Sequence, residues 1–111
     1  MEIKTVDHEQ LEVLRRMEPR FKLVDVLDRD HYEKEHIDGA INLPLEEIGR
    51  RHRDFLNEND VIAVYCASFE CQASTKAAEK LMKLGYPHVM DYKGGLKDCK
   101  ESGCKLAGAV T

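Results

Sequence analysis

The sequence predicts a small α/β domain, a central and mostly parallel sheet flanked by helices, with residues 1–111 forming one domain. Three observations predict it. Short apolar runs of strand length alternate with helical patterns along the whole chain. The runs at Phe21–Val26 and Val61–Tyr65 are dense enough in apolar residues for interior parallel strands. A chain of 111 residues can bury a single core without metals or disulfides.

Taken in order, Ile3 to Val6 is a short strand, and Asp7 with Gln10 forms a capping box that opens a helix to about Arg16. Leu11, Val13 and Leu14 are expected on its apolar side. Pro19 ends that element, and the strand from Phe21 leaves Asp25 at its carboxyl end. Asp28 to Lys34 fits a loop with a helical turn, and His36 to Ala40 leads to a third strand at Ile41–Leu43, stopped by Pro44. Leu45 to Phe55 is a helix with Leu45, Ile48, His52 and Phe55 on one face. After the turn at Asn57–Asp60 comes the strand Val61–Tyr65, and then a helix from Ala73 through Leu84 with Gly85 as its stop. Val89–Tyr92 is the last strand, Gly94-Gly95 a turn with positive φ, and Leu96 to Ser102 a short helix. The small apolar tail from Leu106 to Thr111 is expected to fray.

Cys66 stands where the strand Val61–Tyr65 ends, and the loop Ala67, Ser68, Phe69, Glu70, Cys71 and Gln72 carries the chain to the next helix. In parallel sheets the reactive site lies beyond the carboxyl ends of the strands. The first N–H groups of a helix lack partners and its dipole is positive there, so a thiolate or bound oxyanion is stabilised at that point. A cysteine so placed is expected to be acidic and nucleophilic; the plain alternative is a buried structural thiol.

Charge and composition exclude several classes. A formal net charge of -4 with no basic patch argues against a nucleic-acid binder. No apolar run approaches the length of a membrane span and the first residues lack an apolar leader segment, so the expectation is a soluble, cytoplasmic protein with no membrane partner. The four cysteines then suggest reactive thiols rather than a disulfide framework. Cys66 and Cys71 are spaced like Cys99 and Cys104, but that spacing is loose for zinc ligands, and neither a metal nor another cofactor is expected. Cys71 lies near enough in sequence to resolve or accept from Cys66, or it simply packs beneath the loop. His36 is expected to bond backbone rather than to act as a base, and Asp25 and Asp38 to anchor loops.

Asp25-Val26, Tyr32-Glu33 and the run His36-Ile37-Asp38-Gly39-Ala40-Ile41-Asn42-Leu43-Pro44 form one signature. Val64-Tyr65-Cys66, Ala77-Ala78, Leu81, Leu84-Gly85-Tyr86, Val89 and Tyr92-Lys93-Gly94-Gly95-Leu96 form a second. Over nearly its whole length the chain resembles the rhodanese-like domains, a family of single-domain sulfurtransferases. The resemblance implies that Cys66 attacks the outer sulfur of a donor, thiosulfate or a persulfide, and carries it as a persulfide to a thiol or other nucleophile, protein-borne ones included. It also implies that the loop amides from Ala67 to Gln72 cradle that sulfur, with Lys93 and Lys97 lending positive potential.

The departures bear on substrate. The family loop usually holds a glycine and ends in a basic residue; here Cys66 to Ser74 has neither, is about two residues longer, and carries Glu70. Leu27 stands where the family usually has arginine, and Cys99 where it usually has tryptophan, so Cys99 is expected to fill an aromatic's place in the core and Cys104 to be a packing or surface thiol. A neutral or protein-borne persulfide is therefore the more comfortable donor than dianionic thiosulfate. A non-catalytic or redox-sensing module that binds a partner protein is the alternative. An arsenate reductase or phosphatase, suggested by loop length, lacks the arginine that would hold its oxyanion.

Overall fold

The computed structural model describes residues 2–108. Strand β1 (Lys4–Thr5) is followed by α1 (His8–Met17), β2 (Phe21–Asp25), α2 (Arg29–Lys34), β3 (His36–Ile37) and β4 (Ile41–Asn42). A 3-10 turn at Leu45–Glu47 runs into α3 (Ile48–Phe55), and then come β5 (Val61–Tyr65), α4 (Ala73–Lys83), β6 (Val89–Asp91), α5 (Gly95–Glu101) and β7 (Leu106–Ala107). Five strands make one parallel sheet in the order β1-β6-β5-β2-β4, which puts β5 at its centre. Interior position is what the apolar density of β5 and β2 requires.

Side chains of β5 alternate between two cores, as the pleat demands. Ile62, Val64 and Cys66 pack with Ile48 of α3 and with Ala77, Ala78 and Leu81 of α4. Ala63 and Tyr65 pack on the other face with Leu11 of α1 and Cys99 of α5. The sheet is thus covered by helices on both sides, and β5 delivers Cys66 at its carboxyl end.

Local signals account for the helix ends. The capping box forms in both directions: the Gln10 N–H donates to the Asp7 carboxylate and the Asp7 N–H to the Gln10 side-chain oxygen, each at 2.8 Å. Gly85, at φ 104°, closes α4 with the Tyr86 N–H donating to the Leu81 carbonyl and its own N–H to Met82. Of the residues expected on the inner side of α1, Leu11 is fully buried and Leu14 partly so, but Val13 faces solvent at 48% exposure because it lies off the Leu11 stripe. Leu84 is likewise 40% exposed, since it caps α4 instead of extending its buried face.

Three expectations are corrected. Leu106 and Ala107 do not fray; they pair antiparallel with His36 and Ile37, giving the edge of β3 the backbone partners it otherwise lacks. Residues 109–111 of the same tail lie outside the described residues. Only Gly95 of the Gly94-Gly95 turn has positive φ, at 65°, while Gly94 is in right-handed helical conformation. Cys99 and Cys104 are joined by a disulfide, with Cα atoms 5.3 Å apart, instead of being separate packing thiols. The reason is Gly103, whose φ of 83° turns the chain back at the end of α5 and returns Cys104 to the side of Cys99.

Candidate active site

Cys66 has no exposed surface. Its position is fixed from below by α5: the Leu96 N–H donates to the Cys66 carbonyl and the Lys97 N–H to the Ala67 carbonyl, both at 2.9 Å. Such approach needs a residue without Cβ at Gly95, where an added carbon would collide with the Cys66 carbonyl oxygen. The chain then crosses the loop and enters α4, whose first N–H groups have no side-chain cap. One of them, the Ser74 N–H, is directed at the Cys66 sulfur, and the Ser74 hydroxyl, fully buried and without another partner, faces the same atom.

Cys71 comes back to pack against the core that holds Cys66, near enough for each thiol to alter the acidity of the other. Both are free, and Cys71 is partly exposed where Cys66 is sealed. The N–H groups of Ala67 and Ala73 lie on the side of the Cys71 sulfur where they favour its thiolate. Of the loop amides expected to surround a sulfur, the Cys71 N–H is occupied by the Ser68 carbonyl, at 3.1 Å.

The acidities divide accordingly. Burial pushes the Cys66 thiol up, and the nearby Cys71 adds to this, outweighing Ser74. Burial acts on Cys71 in the same direction, but the Cys66 thiol, the two N–H groups and the charge of Lys93 together bring it below its ordinary value. This differs from the acidic Cys66 expected from sequence: the helix terminus is there, with Ser74 favouring the Cys66 thiolate, but burial outweighs it.

Beneath the loop a row of polar groups links three elements. The Lys93 ammonium donates to the Cys71 carbonyl at 2.8 Å and to the Thr75 hydroxyl at 3.1 Å, and that hydroxyl donates to Asp91 at 2.9 Å. Asp91 is 1% exposed and its other oxygen has no partner. Lys93 was foreseen as a flanking charge. Ser74, Thr75 and Asp91 were missed, and the only signal for them was their place one turn into α4 and at the end of β6.

The outer loop is held by itself. Ser68 donates to Glu70 at 2.8 Å, and this bond, with its own backbone and nearby Lys97, holds the exposed Glu70 carboxyl below the usual range. Phe69 projects with 62% exposure, and Gln72 is exposed beside α4. A cleft of about 680 Å³ opens beside Phe69 and Lys93 and extends to Asp7 and His8 at the start of α1.

The remaining candidates are structural in this arrangement. His36 bonds the Tyr32 carbonyl at 2.7 Å and stacks on the Tyr32 ring. Asp25 accepts from the Leu27 N–H at 2.9 Å, and Asp38 ties segments through its backbone, accepting from Arg15. Burial raises the Asp25 carboxyl, against hydrogen bonds from Leu27 and Tyr65. Cys99 and Cys104 belong to the opposite core, so the four cysteines do not converge. Among the described residues no helix is long and apolar enough to cross a membrane.

Comparison with known proteins identifies the family and agrees with the fold. The profile of the Rhodanese-like domain matches residues 9–102. The chain is 41% identical over 76 residues to thiosulfate sulfurtransferase PspE of Escherichia coli K12, covering 68% of this chain and 70% of that one. It is 37% identical over 76 residues to the putative sulfur carrier protein YrkF of Bacillus subtilis, covering 68% of this chain but only 40% of that protein. The solution structure of the rhodanese-like domain of the Anabaena Alr3790 protein superposes with a TM-score of 0.85 at 33% identity, over 99% of this chain and 82% of that one. Profile, relatives and superposition converge, and the chain belongs to the rhodanese-like domain family.

Proposed function

We propose that the protein is a sulfurtransferase or persulfide carrier in which Cys66 takes sulfane sulfur from a donor and passes it to a thiol or another nucleophile. The observation that carries this reading is the burial of Cys66 against the first turn of α4, with the Ser74 N–H aimed at its sulfur. A thiolate or the terminal atom of a persulfide is anionic, and free amides at a helix start stabilise it. In the step itself the Cys66 thiolate attacks the outer sulfur of the donor. One S–S bond forms as the donor's bond breaks, and the donor departs as a thiolate, or as sulfite when it is thiosulfate. The second nucleophile then removes the terminal sulfur and Cys66 is restored. Relatives named as a thiosulfate sulfurtransferase and a putative sulfur carrier support both halves of the cycle.

The surroundings of the loop favour a neutral or protein-borne persulfide as donor. Glu70 is ionised, and Asp98 and Glu101 line the same small depression, with Lys97 as its one cation. Lys93 is turned inward to Cys71 and Thr75, away from an incoming dianion. A cytoplasmic setting belongs to the same proposal; the free thiols Cys66 and Cys71 accord with it, and the Cys99–Cys104 disulfide points to an oxidising compartment.

A second reading has its own support in the closeness of Cys66 and Cys71. As a redox-sensing module that binds a partner protein, the domain would lose two hydrogens to a peroxide and close that pair into a disulfide. The experiment is intact-mass measurement after exposure to thiosulfate, and separately to glutathione persulfide, with Cys66→Ser as control. One added sulfur that depends on Cys66 and is removed by cyanide supports transfer. No adduct from either donor, or loss of two hydrogens requiring both cysteines, overturns it in favour of the redox module.

A further inference from the structure

Cys66 is sealed, yet a carrier must surrender its sulfur to something that arrives from solvent. A thiol acceptor attacking a persulfide approaches in line with the bond it breaks, and access sets the rate. Of the two neighbouring thiols, Cys71 is the one partly exposed and so the one an acceptor from solvent meets first, and it packs against the same core as Cys66. Cys71 is also held by more than the loop: the Lys93 ammonium grips its carbonyl, Thr75 links Lys93 to Asp91, and the N–H groups of Ala67 and Ala73 favour its thiolate.

We infer that Cys71 is the exit thiol of this site: sulfur loaded on Cys66 moves to Cys71, and Lys93, as a positioning residue, holds Cys71 to receive it. The inference rests on the sulfur-transfer reading above. The Cys71 thiolate attacks the terminal sulfur of the Cys66 persulfide; a new S–S bond forms on Cys71, the bond to Cys66 breaks, and Cys66 leaves as the thiolate. The proton on the transferred sulfur travels with it, and no electrons are gained or lost overall. Attack on the inner sulfur is the competing course, which would join Cys66 to Cys71 and release hydrosulfide.

The row beneath the loop also accounts for the missing loop cation. Lys93 enters from the segment between β6 and α5, so its charge acts on Cys71 from below, while the depression at the outer loop beside Phe69 carries Glu70, Asp98 and Glu101 against Lys97. The groups whose charge or protonation bears on Cys71 are Lys93 and Cys66, both of which favour its thiolate.

The test loads the protein with glutathione persulfide, removes the donor, blocks thiols and persulfides with iodoacetamide and cleaves after glutamate. Cleavage after Glu70 puts Cys66 and Cys71 on separate peptides. The relay predicts the added sulfur on the Cys71 peptide of the wild type and none there in Cys66→Ser; sulfur on Cys71 in Cys66→Ser shows direct loading and overturns the relay. Cys71→Ser is expected to keep its sulfur on Cys66 and to yield it to a chase of glutathione about tenfold more slowly, for want of access. Lys93→Met is expected to move the pH midpoint of Cys71 alkylation upward, a change that loss of a purely structural tether would not produce; an unmoved midpoint overturns the role of Lys93. Sulfur on Cys66 alone, with Cys71→Ser discharging at the wild-type rate, overturns the relay and leaves the transfer reading standing. A Cys66–Cys71 disulfide with released sulfide overturns it in favour of inner-sulfur attack. No sulfur on either cysteine overturns the transfer reading itself.

Discussion

Two pairs of cysteines in this chain have the same spacing and opposite fates. Cys99 and Cys104 are joined, and Cys66 and Cys71 remain neighbouring thiols. The first pair closes around a left-handed glycine at the end of α5. The second pair spans a strand end and a helix start, where unpaired N–H groups and Lys93 favour a negatively charged sulfur. Spacing brings sulfurs together; the backbone dipoles around them decide whether they staple the fold or stay available for chemistry.

The sharpest way to break this contrast is Gly95, which opens the helix carrying one pair and supports the carbonyl of the other. Gly95→Ala adds a Cβ at positive φ against the Cys66 backbone, and is expected to cost about 3 kcal/mol of stability, read by urea unfolding, together with most of the Cys66 reactivity. Separating the pairs comes next. Cys99→Ser with Cys104→Ser opens a short loop closure, and should lower stability by about 2 kcal/mol while leaving alkylation of Cys66 and Cys71 unchanged. Altered loop reactivity in that variant would show that the two pairs are coupled through α5.

Titration sharpens the contrast within the loop. A thiol reacts as its thiolate, present above its pKa. Because the Cys71 thiol is lowered and Cys66 raised, iodoacetamide should modify Cys71 first as pH rises, with onset below the ordinary thiol value, and Cys66 only at higher pH. Peptide mapping after brief alkylation reads the order, and modification of Cys66 first would reverse the assignment. The smallest effect is expected from Glu70→Gln. Removing one exposed negative charge from the mouth should raise the rate of loading from thiosulfate by up to about fivefold and leave loading from a neutral persulfide unchanged.

How far the sequence can be read follows the range of the interactions. Local signals gave true elements: the Asp7 and Gln10 reciprocal bonds, the apolar run at Val61–Tyr65, the spacing of Ala77, Leu81 and Gly85. The position of Cys66 at a strand end before a helix start was legible for the same reason. What could not be read depends on partners distant in sequence. Leu106 and Ala107 become a strand only because β3, far upstream, offers its edge. Asp91 and Thr75 join Lys93 only once β6 and α4 lie side by side. The acidity of Cys71 below that of Cys66 depends on how the loop curls to bury one sulfur and bring the other toward Lys93, which its composition does not encode.

The hydrogen bonds of α5 pin the loop at Cys66 and Ala67, and Lys93 pins it again at Cys71, but the segment between is tied only to itself through Ser68, Glu70 and the Cys71 N–H. Ser68, Phe69 and Glu70 therefore form an exchangeable cassette between two fixed posts. A different tripeptide grafted there would leave both posts, and the backbone bonds that hold the sulfurs, in place, so the outer face of the loop can vary apart from the thiols below.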